Sequence, residues 1–113
     1  MRRVIVESPY AGKTDEEIAR NEAFARAAMA DCFRRGEAPY ASHLLYTQPG
    51  VLRDGVPEER RLGIAAGFVW RDVADATVVY TNLGVTDGMR QGIEDAEAKG
   101  RPVEYRHLEG EDW

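Results

Sequence analysis

The chain has one cysteine, two histidines and no apolar run long enough to span a bilayer. Cys32 alone excludes a disulfide within one chain, and beside Ala28, Met29 and Phe33 it reads as a small buried hydrophobe. With only His43 and His107 available, a metal centre held by imidazoles and thiolates has too few ligands. Positive charge is also short. Fifteen Lys and Arg against 20 Asp and Glu leave a formal charge of −5, which disfavours a nucleic-acid face because neutralising phosphates needs clustered cations. The pairs Arg34-Arg35 and Arg60-Arg61 are too small to change that. Only three apolar residues follow Met1-Arg2-Arg3, too few for a secretory leader, so a cytoplasmic location is expected. Neither Gly-x-Gly-x-x-Gly nor Gly-x-x-x-x-Gly-Lys-Ser/Thr occurs, and the dinucleotide fingerprint and P-loop are absent with them.

What is present suits one small domain over residues 1–108, followed by an acidic tail, 109–113, expected to fray unless Trp113 docks on a neighbour. Val4-Ile5-Val6 is continuously apolar and β-branched, the pattern of a central strand covered on both faces. Thr14-Asp15-Glu16-Glu17 matches a capping box, and the helix it opens runs to about Arg35 with Ile18, Ala25, Ala28, Met29 and Cys32 as its core stripe and Gly36 as its stop. Ala38-Pro39-Tyr40-Ala41 reads as an edge strand, because Pro39 has no amide to donate. Thr47 to Val56 is a loop poised to cover the crevice. Pro57 opens a second helix, whose stripe is expected at Leu62, Ala65, Ala66, Val69 and Val73, with Gly63 and Gly67 allowing close backbone approach. Ala76 to Tyr80 is a third strand, Gly88 to Lys99 a third helix with Met89, Ile93 and Ala96 inward, and Val103 to Tyr105 a fourth strand at an edge. The alternation predicts an α/β fold: a small three-layer Rossmann-like domain with a parallel four-stranded sheet in the order 2-1-3-4 and helices on both faces.

Three polar clusters follow three of the strands, and in open parallel sheets the ligand crevice lies at the carboxyl ends of strands. In the first, Glu7-Ser8-Pro9-Tyr10-Ala11-Gly12, Glu7 is a candidate base, nucleophile or ribose acceptor, or else a cap for the loop's own amides. Tyr10 either stacks on a base or plugs the loop, and Gly12 permits close approach of a ligand. Asn21 falls on the same side, bonded at the edge or facing the crevice. In the second, Ser42, His43 and Tyr46 follow the edge strand. His43 there either titrates near neutrality or satisfies local backbone groups, and as strand neighbours Ser42 and His43 would face opposite ways, which rules out a hydrolase triad between them. In the third, Asn82, Gly84, Thr86, Asp87 and Gly88 lead into a helix N-terminus suited to an anionic or polar ligand, with Asp87 either accepting sugar hydroxyls or capping the helix. Lys13 and Arg90 are phosphate partners or solvated surface charges.

Val4-Ile5-Val6-Glu7-Ser8-Pro9-Tyr10-Ala11-Gly12, Ala74-Asp75-Ala76-Thr77-Val78-Val79, and Asp87-Gly88-Met89-Arg90-Gln91-Gly92-Ile93 through Ala96, Gly100, Pro102 and Val103 together resemble the nucleoside 2-deoxyribosyltransferase-like superfamily, closest to its small uncharacterised members, many of them carried by phages. The resemblance implies a pocket for a nucleoside or nucleotide, cleavage or transfer of an N-glycosidic bond, and assembly as a homo-oligomer; no cofactor is expected, and charge and hydropathy point to no nucleic-acid or membrane partner. Within such a pocket the clusters offer Glu7 and Asp87 as the candidate catalytic carboxylates, and Ser8, Tyr10, Gly12, Asn21, Ser42, His43, Tyr46, Asn82, Gly84, Gly88 and Met89 as candidate ligand contacts. The chain departs from the family at Gly92, where a catalytic Glu is expected, and a glycine cannot attack an anomeric carbon. Glu94, two residues along, lies on another face of the helix. Three readings follow: N-glycosidic chemistry using Glu7 or Asp87, binding and sequestration of a nucleotide-derived signal without turnover, or a structural or partner-binding domain with a vestigial crevice.

Overall fold

The computed structural model describes residues 1–110 and 112–113. Its elements in chain order are β1 (Arg2–Glu7), α1 (Asp15–Arg34), β2 (Glu37–Tyr40), α2 (Ser42–Tyr46), α3 (Pro57–Arg71), β3 (Ala76–Tyr80), α4 (Asp87–Ala98) and β4 (Val103–Arg106). All strand pairs are parallel and the sheet order is β2-β1-β3-β4, as the pattern predicts. The chain leaves β1 for β2 on one side and returns to β3 on the other, so the sheet reverses its winding between β1 and β3. Ligand crevices open at such reversals.

Strand alternation sorts the core between the two faces. Val4, Val6, Val78 and Tyr80 pack with Phe24, Ala28 and Cys32 of α1 in the larger cluster, while Val79 packs with Met89 and Ile93 of α4 in the smaller. The first helix is built as its sequence requires: the Thr14 hydroxyl accepts from the Glu17 amide at 3.1 Å, and Glu17 reaches back to the Thr14 amide at 3.2 Å. Cys32 is fully buried, its Sγ 3.4 Å from the Tyr80 hydroxyl, and burial pushes its thiol pKa up.

Three expectations are corrected. Ser42–Tyr46 is a short helix rather than an irregular strand end, begun by Leu44 and Leu45 amides folding back on the Ala41 carbonyl. On a helix, Ser42 and His43 are about 100° apart instead of on opposite faces. The apolar stripe expected on α3 does not enter the core: Leu62 and Val69 are 62% and 67% exposed, and Val73, just past the end of the helix, is 51% exposed. Its buried positions are instead Gly67 and Arg71. The reason is packing, because α3 leans on α2 rather than on the sheet. A methyl group at Gly67 would lie 3.1 Å from the Ser42 hydroxyl, so glycine sets how close the two helices come. Finally, the Trp113 ring meets Phe24 edge-on at 5.1 Å, so the last residue of the acidic tail is held against the body of its own chain.

Candidate functional site

At the carboxyl end of the sheet, a cavity of 430 Å³ brings the ends of β1, α2, α3 and α4 together, within the size range of small-molecule sites. Glu7, Ser8 and Tyr10 come from the β1 end, Ser42 and His43 from α2, Phe68 and Arg71 from α3, and Thr86, Asp87, Gly88 and Met89 from the start of α4. Asp54 and Arg60, 3.5 Å apart at their closest atoms, stand at its rim, so the loop before α3 does reach the crevice.

Glu7 is the most deeply buried charged group of the lining. It is the last residue of β1, pointing to the α4 face, and only 5% exposed. The Arg71 guanidinium donates to its Oε2 from two nitrogens, at 2.7 and 3.2 Å. Burial pushes the Glu7 carboxyl above the ordinary range, and Arg71 opposes that shift. Arg71 is fixed in turn: its guanidinium lies 4.5 Å from the centre of the Phe68 ring, and its carbonyl accepts from Arg101 at 2.8 Å. Opposite Glu7, Gly92 presents only backbone. A methyl group built there would sit 2.1 Å from Glu7 Oε2 and 2.6 Å from Cδ.

His43 Nε2 lies 3.1 Å from the Ser8 hydroxyl, and its ring meets Tyr10 edge-on at 5.7 Å. Burial, with Arg71 nearby, lowers its pKa from 6.5 to about 4, so the imidazole is neutral at pH 7. A neutral ring next to a hydroxyl shares a hydrogen bond whose direction follows the tautomer. On the far wall, the N-terminus of α4 faces the cavity. Thr86, not Asp87, is its cap, the hydroxyl accepting from the Met89 amide at 3.3 Å. Asp87 occupies the first helical position and is exposed beside the opening, where its carboxylate is free of the capping role.

Not every candidate lines the cavity. Asn21 is buried behind it, donating to the carbonyls of Tyr10 at 2.9 Å and Ala11 at 3.3 Å, and so shapes the β1–α1 loop from below. Gly12 is on the outer side of that loop, where a methyl group would press 2.7 Å from Glu17 Cβ. Tyr46 lines a smaller adjoining cavity of 80 Å³ between α2 and α3. Asn82 is spent on structure, accepting from the Leu108 amide at 2.8 Å and donating to its carbonyl at 3.1 Å. Gly84 forms the turn after β3 at φ 88°, which favours glycine. Lys13 and Arg90 also lie outside the cavity.

Sequence reasoning missed Arg71 and Phe68. A signal existed: Gly63, Gly67 and Arg71 recur every fourth residue, so the small-residue stripe that marks a close helix contact carries an arginine inward. Among the described residues, no group of three or more His, Cys, Asp and Glu could hold a metal ion, and no helix is long and apolar enough to cross a membrane.

Comparison with known proteins agrees with the architecture. The fold is similar to that of a solved 2-deoxyribosyltransferase from the psychrotolerant bacterium Bacillus psychrosaccharolyticus, a biocatalyst for nucleoside synthesis, with a TM-score of 0.65 and 18% identity over 98% of this chain and 76% of that one. At that identity the likeness speaks for the fold. No curated protein matches the chain. A family model does match residues 2–106, nearly the whole of it, and the chain belongs to that family, described as a Domain of unknown function (DUF7768).

Proposed function

We propose that the crevice binds a nucleoside or nucleotide, with the sugar toward Glu7 and Asp87 and the base toward Tyr10 and His43, and that its chemistry is cleavage or transfer of the N-glycosidic bond. One observation carries the reading: carboxylates, an aromatic ring, a neutral imidazole and a helix N-terminus from β1 and its following loop, α2 and α4 share one cavity at the winding reversal of the sheet. Breaking an N-glycosidic bond builds positive charge on the sugar, which a nearby carboxylate stabilises. The fold shared with a 2-deoxyribosyltransferase adds support.

A second reading, binding without turnover, is favoured by the Glu7–Arg71 ion pair, since a carboxylate held by a guanidinium is a weaker nucleophile and base. Both readings predict that nucleosides or nucleoside monophosphates raise the melting temperature. Free base found by chromatography after incubation selects the first, and a melting shift without base selects the second. If no member of the panel shifts the melting temperature, the crevice is not a nucleotide site. Ser8, Ser42, Gly88 and Met89 complete the proposed contact set. Self-association is proposed through the outward face of α3, where Leu62, Val69 and Trp70 are exposed, with Val73 exposed just past its end. Light scattering that returns a monomer mass at all concentrations rejects it.

A further inference from the structure

Glu7 and residue 92 compete for one volume. Oε2, Cδ and Oε1 of Glu7 stand 2.1, 2.6 and 3.0 Å from where a methyl group at position 92 would sit. These atoms end a flexible side chain and could ordinarily move away, but here the carboxylate is held from the other side by two Arg71 nitrogens and buried between β1, α3 and α4. Both Arg71 bonds go to Oε2. Oε1 has no hydrogen-bond partner among the described residues, and Glu7 lines the cavity. Asp87, the other candidate, is exposed at the opening and has no side chain fixing it among the described residues.

We propose that Glu7 is the catalytic carboxylate of this crevice, that Arg71 is its positioning residue, and that Gly92 lacks a side chain in order to admit it. The proposal rests on the nucleoside-binding reading given above and chooses between its two carboxylates. Arg71 holds one oxygen and, by its hydrogen bonds and charge, opposes the upward shift that burial imposes on the carboxyl. The other oxygen faces the ligand. In the hydrolytic step a water oxygen bonds to the anomeric carbon as the carbon–nitrogen bond breaks, and the bonding electron pair leaves on the base nitrogen. Glu7 Oε1 takes the water proton, the departing nitrogen gains one from solvent, and Glu7 later returns its proton to solvent. The sum is nucleoside plus water giving sugar plus free base.

The test uses the full chain with a panel of nucleosides and nucleoside monophosphates, following base release by chromatography and ligand binding by melting shift. Glu7→Gln is expected to lower kcat at least 100-fold while the melting shift with the same compound persists. Arg71→Lys is expected to move the acid limb of the pH–rate profile upward by about one unit with KM little changed, because lysine keeps the charge but loses the two-nitrogen grip on Oε2 that opposes burial. Because Glu7→Gln breaks a buried pair, a second variant keeps the test independent of its folding by returning a carboxylate from the facing helix: Glu7→Ala/Gly92→Glu is expected to fold, by circular dichroism, and to release base at least tenfold faster than Glu7→Ala. Wild-type rates in Glu7→Gln, an unmoved acid limb in Arg71→Lys, or a folded exchange variant no faster than Glu7→Ala each overturn the proposal. A melting shift in the wild type without base release overturns it too, yet leaves the binding reading standing. No melting shift with any compound overturns both.

Discussion

The two long helices obey opposite rules. In α1 the apolar stripe faces inward: Phe24, Ala25, Ala28 and Cys32 are all fully buried on the sheet. In α3 it faces outward, and the inner side is made of Gly63, Gly67 and Arg71. The difference lies in what each helix rests on. A sheet offers a broad apolar surface that a stripe of large side chains can cover, whereas the five-residue α2 offers a narrow ridge that only glycines let α3 approach. Once drawn that close, α3 delivers an arginine to the end of β1. The first helix builds the core and the second builds the site.

Four substitutions sharpen or break that contrast, in falling order of effect. Phe24→Ala empties a position that is 0% exposed in the larger core cluster and is expected to cost about 3–5 kcal/mol by urea unfolding; a cost under about 1 kcal/mol would mean α1 is not the core helix. Glu37→Gln breaks the buried pair with Arg106, bonded at 2.8 Å to each carboxylate oxygen, at about 3 kcal/mol near neutral pH. The same group gives a pH signature. Hydrogen bonds from Arg106, outweighing burial, hold the Glu37 carboxyl at about 2 against an ordinary 4.5, so its contribution is complete above pH 4.5 and is lost as pH falls toward 2. Melting temperature against pH is therefore expected to drop across that window in the wild type and to drop less in Glu37→Gln.

Gly67→Val tests the close approach of α3. Its side chain would press on Ser42 and on the Arg71 guanidinium, with an expected loss of about 1–3 kcal/mol and a weakened ligand-induced melting shift. Val69→Ser is the matched control on the outer face, where exposure of 67% predicts a change within about 0.5 kcal/mol for the isolated chain. A loss above about 2 kcal/mol there would show that the outward stripe is covered in solution.

Most of the fold was legible because its signals are local. The capping box at Thr14, the β-branched run of β1 and the proline in β2 each set an element without reference to the rest of the chain. The three clusters could be expected to converge because parallel strands point their ends the same way. What the sequence hid was non-local. Periodicity says that α3 has an apolar side, but not that the helix will lean on α2 with that side turned outward. It says that Glu7 ends a strand, but not that Arg71, 64 residues later, will meet it. Asn82 carries the same polar groups as a candidate ligand contact, and only the Leu108 amide and carbonyl beside it reveal that both are taken up by the backbone, while Asn21 gives its amide nitrogen to the Tyr10 and Ala11 carbonyls.

One side chain outside the crevice ties its wall to the rest of the molecule. Arg101, just before β4, donates to the Arg71 carbonyl at 2.8 Å, the Thr77 hydroxyl at 3.1 Å and the Asp95 carboxylate at 2.8 Å. It thereby locks the end of α3, the start of β3 and the flank of α4 into one frame. A change at this remote arginine would reach the crevice through the backbone of Arg71, so loss of activity there would mark a lever arm rather than a contact, and a search for activity-tuning positions should extend beyond the residues a ligand touches.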